Sequence, residues 1–131
     1  MKQILFSSVI IILLCAPSSL GKNAKLTKKL TNYCTTLTEE FTQIPGERQA
    51  DLQALGRYLF EKVKAEEEVK LTVICTHNSR RSHIGQLWFL VAAEWYGIDN
   101  LQAFSGGTEA TAFNIRAVDA LNRAGFKIGG T

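Results

Sequence analysis

The stretch from Lys70 to Gly97 constrains the fold more than any other part of the chain. "KLTVIC" (70–75) is a short apolar, β-branched run, the pattern of a buried strand. It passes through a polar loop into "SHIGQLWFLVAAEWYG" (82–97), which is apolar on nearly every side, as a helix covered on more than one face would be. Gly97 is placed to stop that helix. "NLQAF" (100–104) reads as a second short strand, "SGGT" (105–108) as a tight glycine turn, and "FNIRAVDALNRAG" (113–125) as a further helix. Strand, helix, strand, helix in that order predicts a parallel sheet with helical crossovers, the α/β class.

The residues before Lys70 carry two helical stripes. Leu26, Leu30, Tyr33, Leu37 and Phe41 recur at three- and four-residue steps, and Ile44-Pro45-Gly46 breaks the pattern. A second helix begins near Glu47 and places Leu52, Leu55, Leu59 and Val63 on one face. Both stripes are expected to be packing surfaces in a helical extension over residues 22–66, ahead of an α/β domain over 70–131. At 131 residues the chain has room for one such domain. Its net charge of +3 is spread along the sequence, without the basic face a nucleic-acid binder would show.

The first residues differ from the rest. A short positive start, Met1-Lys2-Gln3, precedes the apolar run Ile4–Ala16, and Ser19-Leu20-Gly21 offers small residues two apart. A helix crossing a bilayer needs about 20 apolar residues, so residues 1–21 are expected to be a cleaved export signal. The mature protein would then be periplasmic or secreted, or cytoplasmic if the segment is not a signal. Cys34 and Cys75 would remain, and exported chains usually pair their cysteines. Such a disulfide would silence any thiol chemistry at Cys75.

That chemistry is suggested by "CTHNSRRS" (75–82), which gathers two arginines, a histidine, an asparagine and hydroxyls beside one sulfur. A loop between a strand and a helix start makes an anion site, because the first helical N–H groups have no internal partner and the macrodipole adds to their pull. The candidate oxyanion ligands are therefore Thr76, His77, Asn78, Ser79, Arg80, Arg81 and Ser82, whose amides can close into a nest. Arg81 can add a bidentate fork. The same field favours a thiolate at Cys75, with Ser82 donating to the sulfur and Asn78 holding the loop open by bonding its backbone. His77 would raise the local positive field when protonated. This constellation suits a thiolate attacking phosphorus, or a similar tetrahedral centre, in a bound oxyanion. His77 and His83 lack metal-ligand spacing, so neither metal nor cofactor is expected. Trp88 and Trp95 read as core.

"VICTHNSRRS" resembles the phosphate loop of the low-molecular-weight protein tyrosine phosphatases and the related thioredoxin-coupled arsenate reductases. "FSGGT" (104–108) is similar to the Ser-Ala-Gly-Thr segment after that family's second strand, and "FNIRAVDALNRAGFKI" to the helix that follows. The resemblance covers Leu71 to Ile128. It implies a flavodoxin-like fold with a four-stranded parallel sheet, Cys75 as nucleophile, Arg81 as oxyanion clamp, Ser82 as thiolate stabiliser and Asn78 as loop organiser. Ser105 and Thr108 would support the loop. The sequence also departs from the family. Arg80 stands where the reductases carry a small residue or cysteine, and Asn114-Ile115 replaces Asn-Pro. No Asp-Pro pair, the family's source of a general acid, follows the loop, and no residues here would form the third and fourth strands. The sequence is therefore read as part of a longer domain or as an impaired member.

Three functions follow. The leading one is hydrolysis of phosphomonoesters, of the phosphotyrosine type, through a cysteinyl-phosphate. The second is arsenate reduction with external thiols, for which Cys34 is a candidate resolving thiol, since no cysteine follows Cys75. The third is an oxyanion-binding module without turnover. Expected partners are a phosphate or arsenate oxyanion, a phosphorylated small molecule or protein, and a thiol reductant in the second case. Nucleic acid is not expected.

Overall fold

The computed structural model describes residues 26–109 and 111–129, so the expected signal segment, Cys15 included, lies outside the described residues. Helix α1 (Lys28–Glu39), a short 3-10 turn (Phe41–Gln43) and helix α2 (Gly46–Lys64) precede strand β1 (Val69–Ile74). Helix α3 (Arg81–Tyr96), strand β2 (Leu101–Gly106) and helix α4 (Ile115–Ala124) follow. The chain is thus mixed α/β, with β1 and β2 pairing in parallel from Val69↔Leu101 to Ile74↔Gly106. No helix among the described residues is long and apolar enough to cross a membrane.

The ends of these elements follow local chemistry. Thr27 caps α1 by accepting from the Leu30 N–H, which satisfies one of the donors a helix start leaves over. Its hydroxyl also donates to the Gly125 carbonyl at 2.7 Å, tying the start of α1 to the end of α4. Gly97 ends α3 in the left-handed region (φ +68°), where a side chain would be strained. Asn114 caps α4 through its side chain, so that helix begins two residues later than the run from Phe113 suggests.

Helix α3 is covered on two sides. One side lies on the sheet, where Val69, Ala103 and the inward residues of both strands meet it. The other meets α1, where Leu30, Cys34 and Val91 are buried among Leu26, Trp88, Trp95 and Phe126. Both tryptophans therefore pack at the core, and Trp88 meets Phe126 edge-on at 5.2 Å between ring centroids.

Two expectations need correcting. "KLTVIC" is not a strand buried on both faces. Lys70, Thr72 and Ile74 point away from α3, and Ile74 is 72% exposed, because only one face of the two-stranded sheet is covered among the described residues. The stripes of the first two helices also bury less than their periodicity suggests. Cys34 replaces Tyr33 at the core of α1, leaving Tyr33 half-exposed against Trp88, and Phe41 is exposed in the 3-10 turn. α2 has no fully buried residue, and Leu52 on its stripe is exposed.

Candidate active site

Parallel pairing places the C-terminal ends of β1 and β2 side by side, and every candidate residue lies at that end. Cys75 leaves β1 directly, its N–H still donating to the Gly106 carbonyl at 3.0 Å. Asn78 then takes a positive φ of +45°, a region that asparagine tolerates better than most residues. Such a reversal lets successive amides converge on one point. The N–H groups of Ser82, Ser79 and Asn78 all turn toward the sulfur. Arg80 occupies the N-cap of α3 without a side-chain cap, so capping side chains do not compete for the first-turn amides.

A short side-chain network completes the sulfur's surroundings. The Ser82 hydroxyl lies 3.1 Å from Cys75 Sγ and 2.8 Å from Asn78 Oδ1, and Ser82 is wholly buried. The Cys75 thiol is held down at about 6, first by the Ser82 hydroxyl, then by the Ser82 N–H, with the amides of Ser79 and Asn78 adding less and burial opposing. Ser82 carries one hydroxyl hydrogen, which fixes the direction of the network. Beside a thiol it can donate to Asn78 Oδ1 and accept from S–H. Beside a thiolate it must donate to the sulfur, and Asn78 must then offer its NH2.

Two sequence-based roles shift accordingly. Asn78 organises the loop through its own backbone angle and through Ser82, not by bonding loop backbone. The thiolate is favoured by Ser82 and the amides; Arg81, exposed at the start of α3, is not among the causes.

The segment after β2 acts as a set of straps on the loop. Thr108 donates to the Thr76 carbonyl through both its N–H and its hydroxyl, each at 2.9 Å. Thr111 donates to the His77 carbonyl, and the Asn114 N–H donates to the Ser79 carbonyl at 2.8 Å. With these carbonyls tied to the straps, the amides between them are left to face the other way, as an anion cradle needs. Thr108 therefore touches the loop itself, whereas Ser105 supports the helix start, lying 3.2 Å from His83 Nδ1. His83 stacks on Phe113 with centroids 4.5 Å apart, and its Nε2 is buried without a partner.

Gly107 sits where the strap crosses the loop. A Cβ there would lie 2.6 Å from both the Asn78 nitrogen and the Cys75 carbonyl oxygen, contacts that backbone cannot relieve. Gly107→Ala should therefore push the loop out of shape and weaken vanadate binding by at least about tenfold, roughly the loss of one charge-assisted hydrogen bond. Calorimetric titration, with circular dichroism to confirm an unchanged fold, reads this directly. Unaltered affinity would show that the cradle does not depend on this crossing.

The remaining groups separate into two places. Cys34 and Cys75 are both free. Ser82 touches Cys75, while Val91, nine residues further along α3, packs with Cys34. At 1.5 Å per residue that is about 13 Å along the helix, whereas a disulfide needs Cα atoms within about 7 Å. Burial also raises the Cys34 thiol above its ordinary value. Cys34 is thus a core residue, and neither the disulfide nor a resolving role fits this arrangement. Among the described residues no three His, Cys, Asp or Glu side chains gather as a metal site would require. Thr111, Phe113, Gly107 and Glu109 were not legible as site residues. The paired glycines in "SGGT" were the one local signal, read as a tight turn and as part of the stretch "FSGGT" that carried the resemblance. No protein-family model, curated protein or solved structure matches the chain.

Proposed function

We propose that the chain hydrolyses phosphomonoesters through a cysteinyl-phosphate, in the manner of the low-molecular-weight tyrosine phosphatases, and that β1, α3, β2 and α4 are part of a flavodoxin-like domain. The observation that carries this reading is the Cys75–Ser82–Asn78 network at a strand–loop–helix junction, with the thiol lowered to about 6. At neutral pH Cys75 is then mostly thiolate, the form that attacks. The loop amides and Arg81 would hold the equatorial oxygens of the phosphoryl group while sulfur displaces the leaving oxygen from phosphorus. Water then displaces the sulfur and releases phosphate. Arsenate reduction would need external thiols, because Cys34 is committed to the core.

The test is rapid-quench analysis of the purified chain with an activated aryl phosphate. A burst of phenol matched by a phosphorylated Cys75 peptide is expected, and Cys75→Ser should remove both. Turnover that survives Cys75→Ser, or no phosphopeptide with the unaltered chain, would refute the reading.

A further inference from the structure

His77 and Glu109 form a pair that the hydrolytic steps described above do not use. His77 follows Cys75 by two residues, so its Cα lies within about 7 Å of that of Cys75. Glu109 belongs to the strap after β2. His77 Nε2 and Glu109 Oε1 are 3.8 Å apart, and the two side chains are 59% and 54% exposed. Both backbones are fixed, His77 by Thr111 through its carbonyl and the strap by Thr108 on Thr76. An ion pair this exposed adds little to stability. What it does supply, at the rim of an anion cradle, is an imidazole with one nitrogen directed at a carboxylate. A carboxylate on one ring nitrogen fixes the tautomer and frees the other nitrogen for proton transfer.

We propose that His77, oriented by Glu109, is the general acid and base of the reaction at Cys75. The inference rests on the hydrolytic reading. As Cys75 Sγ bonds to phosphorus and the P–O bond breaks, the Nδ1–H of the imidazolium passes its proton to the leaving oxygen, releasing a neutral alcohol. Neutral His77 then takes a proton from water as that oxygen bonds to phosphorus and the S–P bond breaks. Thiolate, imidazolium and phosphate result, and the cycle closes without a further reactant. Glu109 is a positioning residue, its carboxylate acting only through the ring. The 3.8 Å separation is that of an ion pair, longer than a hydrogen bond.

The test uses the full chain and two substrates, an activated aryl phosphate and a simple alkyl phosphate. A phenolate of low basicity leaves without much help, whereas an alkoxide needs the proton. General acid catalysis contributes about 10²–10⁴-fold, so His77→Gln should lower kcat/KM, which reports the step that expels the leaving oxygen, by roughly 100-fold or more for the alkyl ester and by less than about tenfold for the aryl ester. Inhibition by inorganic phosphate should weaken by less than about threefold, as the loss of one exposed charge does. Glu109→Gln should show the same substrate-dependent split at smaller amplitude, and Glu109→Asp should recover part of it. Equal losses on both substrates, or no loss on the alkyl ester, would overturn the role of His77 and leave the hydrolytic reading standing. Alkyl turnover by the unaltered chain no faster than by His77→Gln would overturn it as well. If the unaltered chain turns over neither ester, the hydrolytic reading falls and this inference with it.

Discussion

Alkylation of Cys75 by iodoacetamide should rise through a midpoint near pH 6, and Ser82→Ala should move that midpoint up by more than one pH unit. The Ser82 hydroxyl and N–H are the two largest causes holding the thiol at about 6, and the substitution removes the first of them. The amides of Ser82, Ser79 and Asn78 remain, so the midpoint should stay below that of an ordinary thiol, about 8.5. Peptide-level mass spectrometry separates Cys75 from Cys34, which should resist alkylation because it is buried. A midpoint near 8.5 in the unaltered chain would remove the basis of the site. The same shift has a consequence for stability. A thiol whose folded value is depressed contributes stability that is complete above its unfolded value and is lost as pH falls toward 6. Cys34, raised by burial, contributes in the opposite sense, its share being lost as pH rises past its unfolded value. Denaturant midpoints should therefore fall between pH 8.5 and 6 in the unaltered chain and fall less in Cys75→Ser.

Arg81→Lys should weaken vanadate or phosphate binding by about 10- to 100-fold, the equivalent of roughly 1.5–3 kcal/mol for a hydrogen bond to a charged group. Arg80→Lys should change it by less than about threefold, as an exposed charge does. Both side chains are exposed and adjacent, so a field effect alone would make the two variants alike. The difference expected here comes from geometry. A guanidinium at the first residue of α3 can present two parallel N–H donors to two oxygens, and an ammonium cannot copy that fork. Isothermal titration at fixed ionic strength decides it. Equal losses would assign the affinity to the field of the loop, and a larger loss at Arg80 would move the clamp to the N-cap residue.

The sequence by itself determined the order and type of the elements. The change from helical to strand periodicity at Lys70, the continuous apolar run after Ser82 and the glycine at position 97 reappear as β1, α3 and its left-handed end. They were legible because hydrophobic period and backbone freedom are local properties. The nearness of Ser82 to Cys75 was legible for the same reason, since both flank one loop.

Tertiary structure decided the rest. Which face of β1 is buried depends on where α3 lies, and the strand's own composition does not record that Ile74 faces outward. Cys34 displaced Tyr33 from the core because the surface of α1 is selected by Val91 and the tryptophans of α3. Thr108 was expected beside the loop, but the straps from Thr111 and Asn114, the crossing at Gly107 and the approach of Glu109 to His77 all follow from one long-range fact. The parallel register Ile74↔Gly106 brings two distant loops to the same edge of the sheet. No residue in either loop encodes that meeting, because it is fixed by backbone pairing along the whole length of both strands.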